Sequence, residues 1–259
     1  MKPAAPAPEV DARPRILAAR VLAWLCVPAA AVLMMGLIDL GTVFGLSDPR
    51  WEWPVSLEAS WGALFTFLIA GAFGWIGTLP DRPWPGLILL GLVVAALLLS
   101  GLVLLDPGPV WLALGVAAPT VAIQLLLAPG QPPARQDARP GAIWAGAVGA
   151  GVPLWLGYAW FTYLPAAAGV GGDITNGVDH WPVQIALGLV LCAGAVLLLA
   201  WRSDLPLWRV GFALTAAIVA YGSLVYPERA GAMPHWLWGV AIAGWGVAVV
   251  LPIGGKARR

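Results

Sequence analysis

Pro85–Leu105 reads P-G-L-I-L-L-G-L-V-V-A-A-L-L-L-S-G-L-V-L-L. After the break Asp106-Pro107-Gly108-Pro109 a second apolar run, Val110–Ala128, follows. Ser100 is the one polar side chain in the first run. Each run has the ~17–25 residues that a helix needs to cross a hydrocarbon core of about 30 Å. A break carrying Pro and a charge is how a helical hairpin in a membrane is punctuated. Outward from this pair the grammar repeats: Arg15–Leu40, Ser60–Leu79, Gly141–Leu164, Pro182–Trp201, Val210–Tyr226 and Trp236–Ile253 are apolar segments of similar length, and Pro80-Asp81-Arg82-Pro83 is another such break. The expectation is an all-α, polytopic integral membrane protein with about eight transmembrane helices.

Composition excludes the alternative. Apolar residues make up 60% of the 259 and charged residues only 10%, too few to clothe a soluble fold, which is about one quarter charged. Lipid asks for no such shell. Lysine is confined to Lys2 and Lys256 while Ala, Gly, Pro and Arg abound, a bias that suits a bacterial genome of high GC content. The two cysteines, Cys26 and Cys192, lie in separate apolar segments. They form no closely spaced pair, so neither a redox motif nor a zinc knuckle is present, and both read as small buried hydrophobes.

Loop charges give the expected threading. With the N-terminus inside, twelve of the fourteen Lys and Arg fall on the inner side: Lys2, Arg13, Arg15, Arg20, Arg82, Arg135, Arg139, Arg202, Arg209, Lys256, Arg258 and Arg259. Only Arg50 and Arg229 fall outside, which is the positive-inside pattern, and deleting any interior span would spoil it. Both termini are therefore expected in the cytoplasm of a bacterial inner membrane. Eight carboxylates collect outside: Asp39, Asp48, Glu52, Glu58, Asp106, Asp173, Asp179 and Glu228. Trp51, Trp53, Trp61, Trp84, Trp111, Trp181, Trp201, Trp208 and Trp236 fall at span ends, where interfacial anchors belong. Residues 1–14, rich in Pro and Ala, read as a disordered cytoplasmic tail. The run that follows is interrupted by Arg20, has no A-x-A-like site after its end and is long enough for a full span, which argues against a cleaved signal peptide.

The chain also reads as one unit written twice. Each half opens with a span containing Val-Pro (Val27-Pro28, Val152-Pro153) and enters its second span near Trp-Pro-Val (Trp53–Val55, Trp181–Val183). Each half also carries Gly-Val-Ala in its fourth span (Gly115–Ala117, Gly239–Ala241). The halves are 15–128 and 141–255, joined by the polar linker 129–140, with a basic tail at 256–259. Four spans per copy is an even number, so both copies enter from the same side and the repeat is parallel, a 4+4 arrangement about an axis along the membrane normal.

The membrane interior offers little chemistry. Arg20 and Asp39, read on one helix, stand roughly 28 Å apart at about 1.5 Å per residue, one at each interface, and no ionisable residue falls near mid-depth. Proton-driven and voltage-driven machines, which use such residues, are disfavoured, as is membrane haem with its His ligands. No Gly-rich phosphate loop or activated serine supports an enzyme, and no basic patch supports nucleic-acid binding. Small-x-x-x-small spacing, as in Gly141-x-x-x-Ala145 and Gly211-x-x-x-Thr215, suits close helix contact, within the chain, in a homodimer or with another membrane protein.

Two functional classes remain. The first is a facilitative carrier, or an accessory membrane subunit, for small neutral or apolar compounds, with a path lined by Tyr158, Thr162, Thr215 and Tyr221. The second is a non-transporting protein whose outer loops bind a divalent metal or a protein or lipid partner. The only histidines, His180 and His235, each directly precede a Trp at the outer end of a span. With Asp173, Asp179 and Glu228 they supply the N and O donors that divalent metals take. The spacing matches no ligand motif, so the two loops would have to meet in space.

Overall fold

The computed structural model describes residues 13–45, 54–132, 140–200 and 206–251. The expected tail 1–14 up to Asp11-Ala12, most of the linker and the basic end 256–259 lie outside the described residues, as do Arg50, Glu52, Trp51, Trp53 and Trp201.

Seven helical segments among the described residues are long and apolar enough to cross a membrane. The first joins α1 (Arg13–Pro28) to a wider π-helical turn, Ala29–Leu33. The second, Val55–Thr78, runs from α3 (Val55–Ala63) through a π-helical stretch, Leu64–Ala70, into α4 (Gly71–Thr78). Then come α5 (Trp84–Leu104) and α6 (Pro107–Leu127). The fifth segment is α7 (Ala142–Gly149) followed directly by α8 (Gly151–Ala167). The sixth and seventh are α9 (His180–Ala200) and α10 (Pro206–Val225). The last helix, α11 (Trp236–Val250), is equally apolar but has only 15 residues, roughly 22 Å at about 1.5 Å per residue.

The hairpin between α5 and α6 follows from its break residues. Asp106 is the N-cap of α6 and accepts a hydrogen bond from the Gly108 N–H at 2.8 Å. Pro107 fills the first helical position, where no N–H is needed.

The first span departs from expectation. It does not run unbroken to Leu40: Met35 takes a left-handed conformation (φ 61°), and a separate short helix, α2 (Gly36–Val43), begins there. Asp39 is consequently not on the helix that carries Arg20, and instead of standing at an interface it is buried. Arg20 donates through Nε to the Gly77 carbonyl at the end of α4, where the helix dipole favours a cation.

Burial singles out two central helices. In the second span 72% of the most apolar window is buried and in α9 61%, against 22% for the first and fourth spans. Around this pair, α9 packs between α8 and α5, α10 packs between α11 and α3, and α3 touches α9. Trp61, Trp181 and Trp208, expected as interfacial anchors, are instead buried here. Two of the indoles are tied to neighbouring elements: Trp208 donates to the Pro85 carbonyl and Trp61 to that of Met34. Trp111 and Trp236 remain exposed at the ends of their helices.

Between α8 and α9 lies a two-stranded hairpin, β1 (Ile174–Thr175) and β2 (Val178–Asp179), with Ile174 opposite Asp179 and Thr175 opposite Val178. Its turn, Asn176-Gly177, has positive φ at both positions, 52° and 80°. That is the turn whose twist matches a two-residue hairpin.

Candidate metal centre

The hairpin puts Asp173 next to His180. The chain reverses at Asn176-Gly177, and the His180 N–H donates to the Asp173 carbonyl at 2.9 Å. Asn176 clips the turn to the broken first span through its side-chain amide, which donates to the Leu33 carbonyl at 3.3 Å. His180 is fully buried as the first residue of α9. Its ring stacks on Trp61 with centroids 4.4 Å apart, and its Nε2 shares a 2.9 Å hydrogen bond with the Thr175 hydroxyl. Ring plane and one nitrogen are thus fixed, leaving Nδ1 to face Glu58, whose Oε1 is 3.9 Å away.

Glu58 lies in the first turn of α3 and is itself buried. Asp39 reaches it from α2 because α2 and α3 approach backbone to backbone. A Cβ on Gly62 would sit 2.8 Å from the Gly36 carbonyl oxygen, and a Cβ on Gly36 would sit 2.7 Å from the Thr66 hydroxyl. Only glycines allow that approach. One donor atom each from Glu58, Asp173 and His180 lie within 4.8 Å of one another, and the Glu58 carboxyl is in hydrogen-bonding contact with both Asp173 and Asp39.

Three carboxyls and an imidazole therefore share one place, with Asp39, Glu58 and His180 buried and Asp173 half-buried. The hydrogen bond with Glu58 and the charge of His180 hold Asp173 below the usual carboxylate range, against the opposing effect of burial. Burial pushes Asp39 up to about 7, with the Asp173 charge adding to the shift. Asp39 Oδ2 and His180 Nδ1 are buried without hydrogen-bond partners. Unpartnered buried polar atoms are rare and costly. Three carboxyls at such spacing cannot all carry charge unless a proton or a cation compensates them.

Of the residues singled out from sequence, the structure brings His180 and Asp173 together. Asp179 is near but turned to other work, accepting from the Trp181 N–H at 3.0 Å. His235 is exposed and caps α11, its Nδ1 accepting from the Leu237 N–H, and Glu228 is exposed; neither belongs to the buried cluster. The four path candidates do not converge. Tyr158 is buried and shares a 2.7 Å bond with Ser60. Thr162 and Thr215 donate to the carbonyls of Tyr158 and Gly211, four residues back on their own helices. Tyr221 is partly exposed between Phe44 and Tyr226.

Glu58 and Asp39 are the members that spacing did not reveal, and two signals pointed toward the site. Glu58 follows Trp53-Pro54-Val55 as His180 precedes Trp181-Pro182-Val183, so each stands beside the same tripeptide at the start of a helix. Asn-Gly between Ile-Thr and Val-Asp is a strong short-range hairpin signal and fixes Asp173 beside His180. Compared with known proteins, the chain matches no family model, no curated protein and no solved structure.

Proposed function

We propose that this is a multi-pass membrane protein whose two halves are joined at the outer face by a divalent metal held by Glu58, Asp173 and His180, with Asp39 as a further carboxylate donor. The observation that carries this reading is the convergence of three donor atoms within 4.8 Å, two of them on buried residues and the third on a half-buried one, with the imidazole Nδ1 unpartnered. One imidazole with two or three carboxylates is a hard, mixed N/O set that suits Zn2+ or Mn2+ and not a soft ion such as Cu(I). Asp39 and Glu58 come from the first half and Asp173 and His180 from the second, so a bound ion would tie the two together.

The finer architecture belongs to the same reading. We take α11 as an eighth span, both termini as cytoplasmic, and the chain as a parallel 4+4 repeat. The packing supports the repeat. The first span packs on the second as the fifth packs on the sixth, and the third packs on the fourth as the seventh packs on the eighth. The second packs on the seventh as the sixth packs on the third. These pairs exchange under a two-fold operation that swaps the halves, and the second and sixth spans meet at the axis. The carrier reading gains nothing from Tyr158, Thr162, Thr215 and Tyr221, which are engaged separately.

Titration calorimetry of chelator-stripped full-length protein in detergent with ZnCl2 and with MnCl2 tests the site. The expectation is one ion per chain for at least one of the two, with affinity lowered at least tenfold in both Glu58→Gln and Asp173→Asn. Glu58→Gln preserves shape, and a circular dichroism spectrum checks its helicity. Absence of binding of either ion to the wild type, or binding to both variants as tight as to the wild type, overturns the assignment.

A further inference from the structure

A second feature lies at the same end of the bundle, on the other side of α9. Between α5, α8 and α9 runs an apolar groove of about 820 Å³, lined by residues that include Leu99, Val103, Leu156, Trp160, Tyr163 and Leu189. At Val103 and Tyr163 it meets a cleft of about 460 Å³ with a different character, lined also by Asp106, Asp179, Trp181 and Gly169. Groove and cleft have the size of small-molecule sites. We propose that together they hold one phospholipid with a primary-amine headgroup, phosphatidylethanolamine, its acyl chain in the groove and its headgroup in the cleft.

Three observations select this occupant. Along the groove the wall is aliphatic and aromatic, with Ser100 and Tyr163 the only hydroxyls among the described lining residues, and Ser100 is already bonded to the Leu97 carbonyl. At the cleft the charge changes: Asp106 and Asp179 are both lining residues, and among the described residues no cation lines it. Because both carboxyls line the same cleft, an ammonium seated there would meet two anionic partners. The third observation is a donor. Trp181 is 4% exposed and lines the cleft, and its indole N–H is buried without a partner. A phosphate oxygen satisfies that N–H while the ammonium satisfies the carboxylates. An anionic headgroup would meet two like charges, and a trimethylated amine has no N–H to give them.

The inference does not depend on the metal reading, because Asp106 and Trp181 lie outside that cluster. It is tested by native mass spectrometry of the full chain released from nanodiscs containing equal parts phosphatidylethanolamine, phosphatidylcholine and phosphatidylglycerol. The expected result is one retained lipid per chain, with phosphatidylethanolamine favoured at least threefold over each of the others. Asp106→Asn, which keeps the helix cap, should abolish the preference. Trp181→Phe, which removes only the N–H and part of the ring, should weaken retention, and Leu156→Trp, which fills the groove, should reduce retention of all three lipids. Equal retention of the three, a preference for the anionic lipid, or a preference that survives Asp106→Asn overturns the proposal.

Discussion

Nδ1 of His180 stands 3.9 Å from Oε1 of Glu58, each in the first turn of one of the two most buried helices. The ionisable groups of the site thus sit where the central helices begin and not at mid-depth, where charge would be far more costly. Helix starts also carry unsatisfied N–H groups and a positive dipole end that favour carboxylates. The site is built where burial and anionic character are compatible.

The hairpin turn controls that geometry. Gly177 has φ 80°, a region in which a branched side chain is strained by about 1–2 kcal/mol. Gly177→Val is expected to displace Asp173 from His180 and to weaken metal binding about 5- to 30-fold if the strain falls on the site. Asn176→Gly keeps the turn type and should change affinity much less. Calorimetric titration of the two variants with the same ion checks this, and equal effects would show that the hairpin does not set the site.

Asp39 gives the protein a pH signature. Its carboxyl has a pKa near 7 in the folded state against an ordinary value of 3.8, so between about pH 4 and 7 the folded protein holds a proton there that the unfolded chain has released. Stability of the metal-free protein should therefore fall as pH rises through this window and level off above it. The facing groups are Glu58 and Asp173, with His180 beyond them. Metal binding, which needs the carboxylates deprotonated, should strengthen over the same range. Thermal unfolding of the metal-free protein at pH 5 and pH 8 is expected to show a smaller difference in Asp39→Asn than in wild type.

The apolar grammar of the sequence was sufficient for the bundle. A segment such as Pro85–Leu105 can satisfy its backbone in lipid only as a helix, and α5 covers Trp84–Leu104. The break in the first span was not legible, because Ala29–Met35 is as apolar as the helix before it and the left-handed Met35 answers to packing, including the Trp61 indole bonded to the Met34 carbonyl. That break carried Asp39 into the site. His180 and Asp173 could be named because reactive side chains are scarce in this chain. Glu58 could not be separated from loop carboxylates, since burial depends on which helices meet. His235 looked equivalent to His180 by its following Trp, yet no hairpin folds a carboxylate back onto it.

Threading can be tested where charge gives the expectation. Gly130 lies between α6 and α7 and Gly171 between α8 and β1, each with no side chain or backbone within 4 Å of an added Cβ. With the eight-span topology, Gly171→Cys is expected to react with a membrane-impermeant maleimide in intact cells, and Gly130→Cys only after permeabilisation. The native Cys26 and Cys192, both half-buried within helices, are replaced by Ala first. Reversed labelling would invert the orientation, and labelling of both positions in intact cells would show that the fifth segment, which separates them, does not cross.

α11, which packs mainly on α10, also meets the junction of α7 and α8 through Trp245. A Cβ on Gly151, at the start of α8, would collide with Trp245 Nε1, and that N–H donates to the Val148 carbonyl at 3.1 Å. Trp245 also meets Trp155 edge-on, with ring centroids 5.4 Å apart. An added methyl cannot be absorbed by a ring held in this way, so Gly151→Ala should destabilise by about 1–3 kcal/mol, the usual cost of overpacking. Trp245→Leu should also destabilise, through the cavity it leaves and the lost hydrogen bond. The double variant is the informative one. The methyl added at position 151 then has room, and its effect in the Trp245→Leu background should shrink by at least about 1 kcal/mol, within the range found for residues in contact. Thermal unfolding of the four proteins in one detergent closes the cycle. If the two effects simply add, α11 does not pack on the α7–α8 junction.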